Sequence, residues 1–215
     1  SEFRIREIFQ DKKGNVWIFS KNGLIKLDKE NNSTAEINEL KGLPINDVTA
    51  VFQDFEENIW IGTGGKGLLK FAGEKFKHYN TKNGLPSDLI ISTISEKENK
   101  LWISTFDKGV FLLEKGKAQN TKQIKAIEST VWNIAKKDHT YYFGSVFGLY
   151  LYKNDKWQRY FSKDGLPSNK ITGLKVLDNS QIIISTSEGL AIINENGKIE
   201  KIFKNNPHLK NIRSF

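Results

Sequence analysis

The stretch VFQDFEENIWIGTGGKGLLKF, residues 51–71, holds short apolar segments separated by turn residues, with Trp60 in the middle of one segment. The pattern recurs along the chain. Its central residues are Trp17, Trp60, Trp102, Tyr142 and Ile183, at successive spacings of 43, 42, 40 and 41. Tandem repeats of about 40–45 residues with four short strands each are typical of β-propeller blades. A single sheet cannot bury the indole at this position, so we expect it to pack between neighbouring blades.

Each repeat is predicted to form four antiparallel strands, so the fold class is all-β. In the second repeat these strands are expected at 48–53, 58–63, 67–71 and 75–79. The segments are rich in β-branched and aromatic residues, are bounded by turn residues and show no helical period. The predicted blades are about 3–38, 46–80, 88–119, 129–161 and 169–203, with 204–215 as the start of a sixth.

The repeat count predicts an incomplete ring. Ile5, Val48, Ile90 and Ile171 lie at one position of the first strand, and Ile212 follows Ile171 by 41 residues. The chain is therefore expected to stop inside the first strand of a sixth repeat. Open blade faces and unpaired strand edges favour association, so we expect an open arc that can self-associate.

Composition excludes several classes of protein. The chain has no cysteine, which rules out disulfides and thiolate metal sites. Hydrophobic residues make up 38% of the chain and aromatic residues 12%, too many for a disordered segment. We find no apolar run of membrane-spanning length and no signal peptide at Ser1. The net charge of +8 comes from scattered lysines, so we expect no nucleic-acid partner.

No motif predicts catalysis, a metal or a cofactor. Residues 62–67, GTGGKG, match GxGxxG by letters, but they occupy a predicted hairpin turn and not the strand–turn–helix of a dinucleotide site. The histidines are dispersed without ligand spacing. Asp11, Asp54 and Glu96 share one repeat position, six residues before the Trp, where we expect each to cap its own hairpin.

Recognition is expected at one edge of each blade. The loop before the first strand carries Gly-Leu-Pro at 42–44, 84–86 and 165–167, and the copy expected near residue 125 is missing. This loop and the turn between the second and third strands are predicted to lie at the same edge. The candidate ligand-binding residues are the variable ones there, namely Asn46, Lys66, Asp88, Phe106, Asp107, Trp132, Phe147, Asn169 and Glu188.

Trp132 is the unusual residue of this set. Counting back from the Trp position of each repeat gives Glu7, Ala50, Ser92 and Gly173 as its counterparts, most of them small. An indole at this position could stack on a sugar ring. The alternative is that Trp132 fills the space left by the missing Gly-Leu-Pro loop.

At residues 51–54, 59–63, 67–71, 76–79 and 84–88 the sequence resembles the two-component regulator propeller repeat. The resemblance covers nearly the whole chain, with degenerate fourth and fifth copies. It implies the extracytoplasmic, periplasmic sensor region of a membrane-anchored hybrid two-component sensor, especially from Bacteroidetes. It also implies a small-molecule or oligosaccharide ligand, and a histidine kinase elsewhere in the parent protein.

Three functions remain open from the sequence. The first is a ligand sensor, in which this chain is not itself an enzyme. The second is a propeller lyase that resembles streptogramin lyase, which would need histidines and carboxylates gathered at the ring centre. The third is a non-sensing scaffold of a secretion system, which would use the same repeat.

Overall fold

The structure, a computed structural model, describes most of the chain. The described residues are 5–20, 23–31, 33–37, 47–72, 75–96, 100–119, 127, 130–177, 181–194 and 198–204. They form five four-stranded antiparallel sheets, each built from four consecutive strands. The predicted all-β fold of propeller blades is therefore confirmed. The expected start of a sixth repeat, from residue 205 onward, lies outside the described residues.

The sheets are called blades 1 to 5 in chain order. Blades 1 to 3 consist of β1 (Ile5–Gln10), β2 (Val16–Ser20), β3 (Gly23–Asp28), β4 (Ser33–Ile37), β5 (Val48–Gln53), β6 (Ile59–Thr63), β7 (Leu68–Ala72), β8 (Lys75–Tyr79), β9 (Ile90–Glu96), β10 (Lys100–Thr105), β11 (Gly109–Glu114) and β12 (Lys117–Gln119). Blades 4 and 5 consist of β13 (Val131–Lys137), β14 (Thr140–Ser145), β15 (Gly148–Lys153), β16 (Lys156–Tyr160), β17 (Ile171–Val176), β18 (Ile182–Thr186), β19 (Gly189–Ile193) and β20 (Ile199–Lys204).

The chain forms two compact units. The first comprises Ser1–Thr105 and Phe111–Gln119, and the second comprises Phe106–Val110 and Asn120–Phe215. Each unit has its own core between consecutive blades. Successive side chains of a strand point to opposite faces, so within a unit a blade can use one whole face to pack on the next blade.

In the first unit, large rings fill the space between blades. Trp17 is 2% exposed and packs on Ile59, Ile61 and Leu69 of blade 2. Trp60 packs in the same way on blade 3, in a cluster that includes Leu101. The expectation that these indoles pack between neighbouring blades is confirmed for both residues. In the second unit, one cluster joins blades 4 and 5 and includes Tyr142 at the Trp position.

Two turn carboxylates hold the indoles in place. The Asp11 and Asp54 carboxylates accept hydrogen bonds from Nε1 of Trp17 and Trp60 at 2.9 and 2.7 Å. Each carboxylate also accepts backbone N–H groups two and four residues further on, so each caps its own hairpin as predicted. Glu96 differs, because it is the last residue of strand β9.

The Asp11 carboxyl has a lowered pKa. Burial by itself raises the pKa, but the hydrogen bonds from Trp17, Asn15 and the Lys13 backbone together outweigh that effect. Asp11 is therefore a charged acceptor at neutral pH. A charged acceptor makes the stronger hydrogen bond to the indole.

Candidate functional site

The loop before the first strand of a blade and its turn between the second and third strands meet at one edge, called here the loop edge. In blade 2 the Gly64 N–H donates to the Asp47 carbonyl at 2.8 Å, and in blade 5 the Ser187 N–H donates to the Lys170 carbonyl at 3.0 Å. The Gly67 N–H of blade 2 also donates to the Asp88 carbonyl of the loop before blade 3, at 2.9 Å. Hydrogen bonds thus fix the positions of the loop-edge residues.

The GxGxxG match at 62–67 lies in this turn. Gly67 has a φ of 85°, and a Cβ there would collide with the Tyr79 carbonyl oxygen. The glycine is needed for the tight hairpin and for the close approach of the last strand of the blade. The match is therefore explained by turn geometry.

Each first strand contains a one-residue irregularity near the loop edge. In β13 the pairing with β14 passes from Val131 opposite Ser145 to Asn133 opposite Gly144, which leaves Trp132 as the extra residue. Bulges re-aim the extra side chain and are frequent near binding sites. The residues at the same bulge position in the other blades are Arg6, Thr49, Ile91 and Thr172.

The sequence alignment of Trp132 with Glu7, Ala50, Ser92 and Gly173 is therefore wrong by one residue. The reason is the first hairpin of blade 4, in which Lys137 pairs with Thr140 around a two-residue turn. In blade 2, β5 ends at Gln53 and β6 begins at Ile59, so the connecting turn is longer. Counting back a fixed number of residues from the Trp position therefore reaches one position too far in blade 4.

Three exposed aromatic side chains lie at the loop edges of the second unit. Phe106, Trp132 and Phe147 are 50%, 41% and 61% exposed. The rings of Phe106 and Trp132 meet edge to face with centroids 6.1 Å apart. The Phe147 N–H donates to Oγ of Ser145, the residue opposite Val131 and thus next to the Trp132 bulge. We call Phe106, Trp132 and Phe147 the aromatic edge.

A residue that sequence reasoning missed supports this edge. The Thr130 hydroxyl donates to the Phe106 carbonyl at 2.5 Å, which joins the turn at Phe106 to the residues directly before β13. The only sequence feature that pointed to Thr130 is its position directly before the first strand of blade 4. Asp107, which follows Phe106 in the same turn, is exposed beside the edge.

Two predicted site residues hold loops through their own side chains. The Asp88 carboxylate accepts from the Thr81 N–H at 2.8 Å and from the Thr81 hydroxyl at 2.9 Å. Asn169 is its counterpart, and its Oδ1 accepts from the Ser162 N–H at 2.7 Å. Both bonds close the loop that contains Gly-Leu-Pro. These oxygens therefore shape the loop edge.

The remaining predicted residues are spread over other blades. Lys66 is exposed in the blade 2 turn, and its carbonyl accepts a hydrogen bond from His78 Nε2 at 2.5 Å. Glu188 is exposed in the blade 5 turn, close to the loop that carries Asn169, because Ser168 and Ser187 share a hydrogen bond at 3.0 Å. Asn46 lies outside the described residues.

The described part of the chain contains no group of three His, Cys, Asp or Glu side chains that could hold a metal ion. His78 lies on the last strand of blade 2, and His139 is exposed in the first turn of blade 4. In the same part of the chain, no helix is long and apolar enough to cross a bilayer. The aromatic edge presents three exposed aromatic rings beside Asp107.

Comparison with known families identifies one repeat. A family model described as "Two component regulator propeller" matches residues 42–65. The match spans the Gly-Leu-Pro loop and the Trp60 strand, which are the residues that carry the resemblance in the sequence. The chain therefore carries a two-component regulator propeller repeat. No curated protein matches the chain.

Three of the solved structures with the same fold come from different functional settings. One is the extracellular domain of a proposed hybrid two-component system, BT3049, from B. thetaiotaomicron, with 22% identity and a TM-score of 0.73. That match covers 93% of this chain and 30% of the other. Virginiamycin B lyase from Staphylococcus aureus has 14% identity and a TM-score of 0.73, over 96% of this chain and 72% of the lyase.

The third is PorZ, a surface component of the type-IX secretion system of Porphyromonas gingivalis, with 14% identity and a TM-score of 0.68. The match covers 94% of this chain and 39% of PorZ. At these identities the likeness establishes the propeller-type fold and does not transfer an activity.

Proposed function

We propose that the chain is part of the ligand-sensing propeller of a two-component sensor, located outside the cytoplasm, and that its ligand is an oligosaccharide. The observation that carries this proposal is the two-component regulator propeller repeat at 42–65, whose pattern recurs through the chain. The likeness to the extracellular domain of a hybrid two-component system supports the setting. The parent protein is then membrane-anchored, periplasmic on its sensing side, and passes the signal to a kinase that this chain lacks.

The aromatic edge supports the choice of ligand. Sugar rings present an apolar C–H face that packs on indole and phenyl faces, while their hydroxyls need hydrogen-bond partners. The aromatic edge supplies three exposed rings, and the adjoining turn supplies the exposed residue Asp107. Trp132 is the central residue of this proposal, because the bulge turns its ring away from the inter-blade core.

A glycan-array screen of the 215-residue chain, followed by calorimetry with the strongest hit, tests the proposal. Trp132→Thr installs the residue found at the bulge of blades 2 and 5, so it should leave the fold intact. It should weaken binding by about tenfold or more, since truncating a central aromatic residue of a binding site costs about 2 kcal/mol or more. Phe55→Ala is the matched control, because Phe55 is also exposed but lies in the opposite turn of blade 2. No binding to any glycan, or equal binding by both variants, would reject the oligosaccharide ligand.

A lyase is the second candidate, favoured by the match to virginiamycin B lyase over 96% of this chain. Incubating the chain with virginiamycin B and following the antibiotic by mass spectrometry tests it directly. Conversion that a single loop-edge substitution abolishes would replace the sensor proposal. An unchanged antibiotic would leave the sensor as the better account.

A further inference from the structure

Two clefts lie between consecutive blades of the first unit, at the edge that contains the turn between the first and second strands. We call this edge the turn edge. The cleft between blades 1 and 2 has a volume of about 230 Å³, whereas the cleft at the same place between blades 2 and 3 has a volume of about 20 Å³. The same pair of turns therefore encloses an open cleft in one place and a nearly closed one in the other.

The turns that form these clefts differ at their second residue. Blade 2 has Phe55 there, and this side chain lines the smaller cleft. Blade 1 has Lys12 at the same position. The Lys12 N–H donates to Oε1 of Gln53 at 2.7 Å, and its Nζ donates to the Asp54 carbonyl at 2.9 Å. Lys12 therefore ties the two turns together, and the larger cleft lacks the ring that lines the smaller one.

The inner part of the larger cleft is apolar. It is formed by Trp17, Ile59 and Phe71, and the rings of Trp17 and Phe71 meet edge to face with centroids 5.3 Å apart. Trp17 and Ile59 are each 2% exposed, whereas Phe71 is half-buried. Phe71 is therefore the side chain on which an apolar group in the cleft would pack.

The two walls of the larger cleft carry opposite charges. Blade 1 contributes Lys13 and Lys26, and blade 2 contributes Glu56 and Glu57. Nζ of Lys13 lies 3.0 Å from Oε2 of Glu57, which joins the walls by an exposed ion pair. Nζ of Lys26 lies 3.6 Å from the Asp28 carboxylate, longer than a charge-assisted hydrogen bond. Lys26 therefore retains donors for an anionic group in the cleft.

Asp11 also lines the cleft, but its carboxylate is already used within its own turn. One oxygen accepts the N–H groups of Lys13 and Asn15, and the other accepts Nδ2 of Asn15 and Nε1 of Trp17. Four hydrogen bonds use the acceptor capacity of a carboxylate. A cationic group in the cleft is therefore directed to the carboxylates of blade 2.

We propose that this cleft binds a small zwitterion of the α-amino acid class with an apolar side chain. Its carboxylate faces Lys13 and Lys26, and its ammonium group faces Glu56 and Glu57. Its side chain packs on Phe71. The volume of about 230 Å³ is smaller than that of sites for drug-sized ligands, which suits a ligand of this size. The cleft lies in the first unit and the aromatic edge in the second, and this inference does not depend on the proposed function.

Titration of the 215-residue chain with L-leucine tests the proposal. Isocaproic acid is leucine without the ammonium group, and isopentylamine is leucine without the carboxylate. We expect leucine to bind and each analogue to bind about tenfold more weakly or worse, because each lacks one set of charge-assisted hydrogen bonds. In proton–nitrogen NMR spectra the indole N–H signal of Trp17 should shift on binding, since its acceptor Asp11 lines the cleft. The indole signal of Trp60 should not shift.

Charge-removing variants locate the site. Lys26→Gln on the basic wall and Glu56→Gln on the acidic wall should each weaken leucine binding by about tenfold. Lys100→Gln and Glu96→Gln are the matched controls, because they make the same changes in the smaller cleft, and they should bind leucine like the unmodified chain. Circular dichroism should show the same strand content in all four variants.

Three results would overturn the proposal. The first is an unchanged Trp17 indole signal up to the solubility limit of leucine. The second is binding of isocaproic acid or isopentylamine as tight as that of leucine, which would show that the cleft does not require both charges. The third is equal binding of leucine by the wall variants and the control variants, which would place leucine elsewhere on the chain.

Discussion

Blades 2 and 4 form the same four-stranded sheet but differ at the inter-blade position, in the first turn and at the bulge. Blade 2 has Trp60 at the inter-blade position, a turn carboxylate on its indole, and a small bulge residue, Thr49, whose hydroxyl donates to the Ile90 carbonyl at 2.7 Å. Blade 4 has Tyr142 at the inter-blade position and a two-residue turn, and its bulge residue is Trp132. In blade 2 the large ring is buried between blades, and in blade 4 an indole is exposed at the loop edge.

This difference separates positions that hold the fold from positions that can vary. The inter-blade position is nearly fully buried in both blades, at 6% exposure for Trp60 and 3% for Tyr142. The bulge position is free of that constraint, because its side chain lies outside the alternating pattern that faces the neighbouring blades. A binding residue can therefore appear there without disturbing the core.

The largest expected effect is at the inter-blade position. Trp60→Ala should lower the free energy of unfolding by about 3–5 kcal/mol, because it leaves a cavity among the residues of blades 2 and 3. Trp60→Tyr, which installs the blade 4 residue, should cost less. Urea unfolding followed by circular dichroism measures both. Similar small losses for the two variants would mean that the ring is not a core element.

The next-largest effect on stability is expected at the turn carboxylate of blade 2. Asp54→Asn replaces an oxygen that accepts from Trp60 and Asn58, and we expect a loss of about 1–2 kcal/mol in the same unfolding experiment. Asp138→Asn in the two-residue turn of blade 4 is the matched control. Its backbone has a φ of 52°, which asparagine tolerates, so stability should be unchanged. Equal losses would show that the indole bond does not matter.

Alkaline pH should affect blade 4 through a group that blade 2 lacks at this position. Burial raises the pKa of Tyr142 above 10.0; the Tyr160 charge adds to the rise, and a Thr140 hydrogen bond partly opposes it. The unfolded chain then releases this proton first, so the stabilising contribution is present below pH 10.0 and is lost as pH rises through the folded-state pKa.

Tyr142→Phe should remove this part of the alkaline loss. Urea midpoints of the variant and the unmodified chain, measured from about pH 8 to about pH 11, check the expectation. The variant should gain relative stability toward the alkaline end. A difference between the two that does not change with pH would contradict the assignment.

The smallest effect is expected at the bulge. Trp132→Thr should change the free energy of unfolding by less than about 0.5 kcal/mol, because the indole is 41% exposed and its ring contact is with the exposed Phe106. Thermal melting of the variant measures this. A loss comparable to that of Trp60→Ala would mean that Trp132 fills space in the fold, which was the alternative left open by the sequence.

Some features could be predicted from sequence because they depend on local periodicity. The spacing of Trp17, Trp60 and Trp102 predicted blades and inter-blade rings, since alternation places such residues on one face of a strand. The position of Trp132 could not be counted correctly, because one residue fewer in the first hairpin of blade 4 shifts the register. The bonds of Asp88 and Asn169 to the loop also carried no sequence signal.

The amino-acid sequence by itself determined the repeat, the strands and the family resemblance, because a blade is a local unit whose pattern can be read within about 40–45 residues. Only the tertiary structure decided which side chains are exposed. The approach of Phe106 to Trp132 arises from a contact between repeats. Such contacts depend on register and on which neighbour is present, and neither is written in the residues of one repeat.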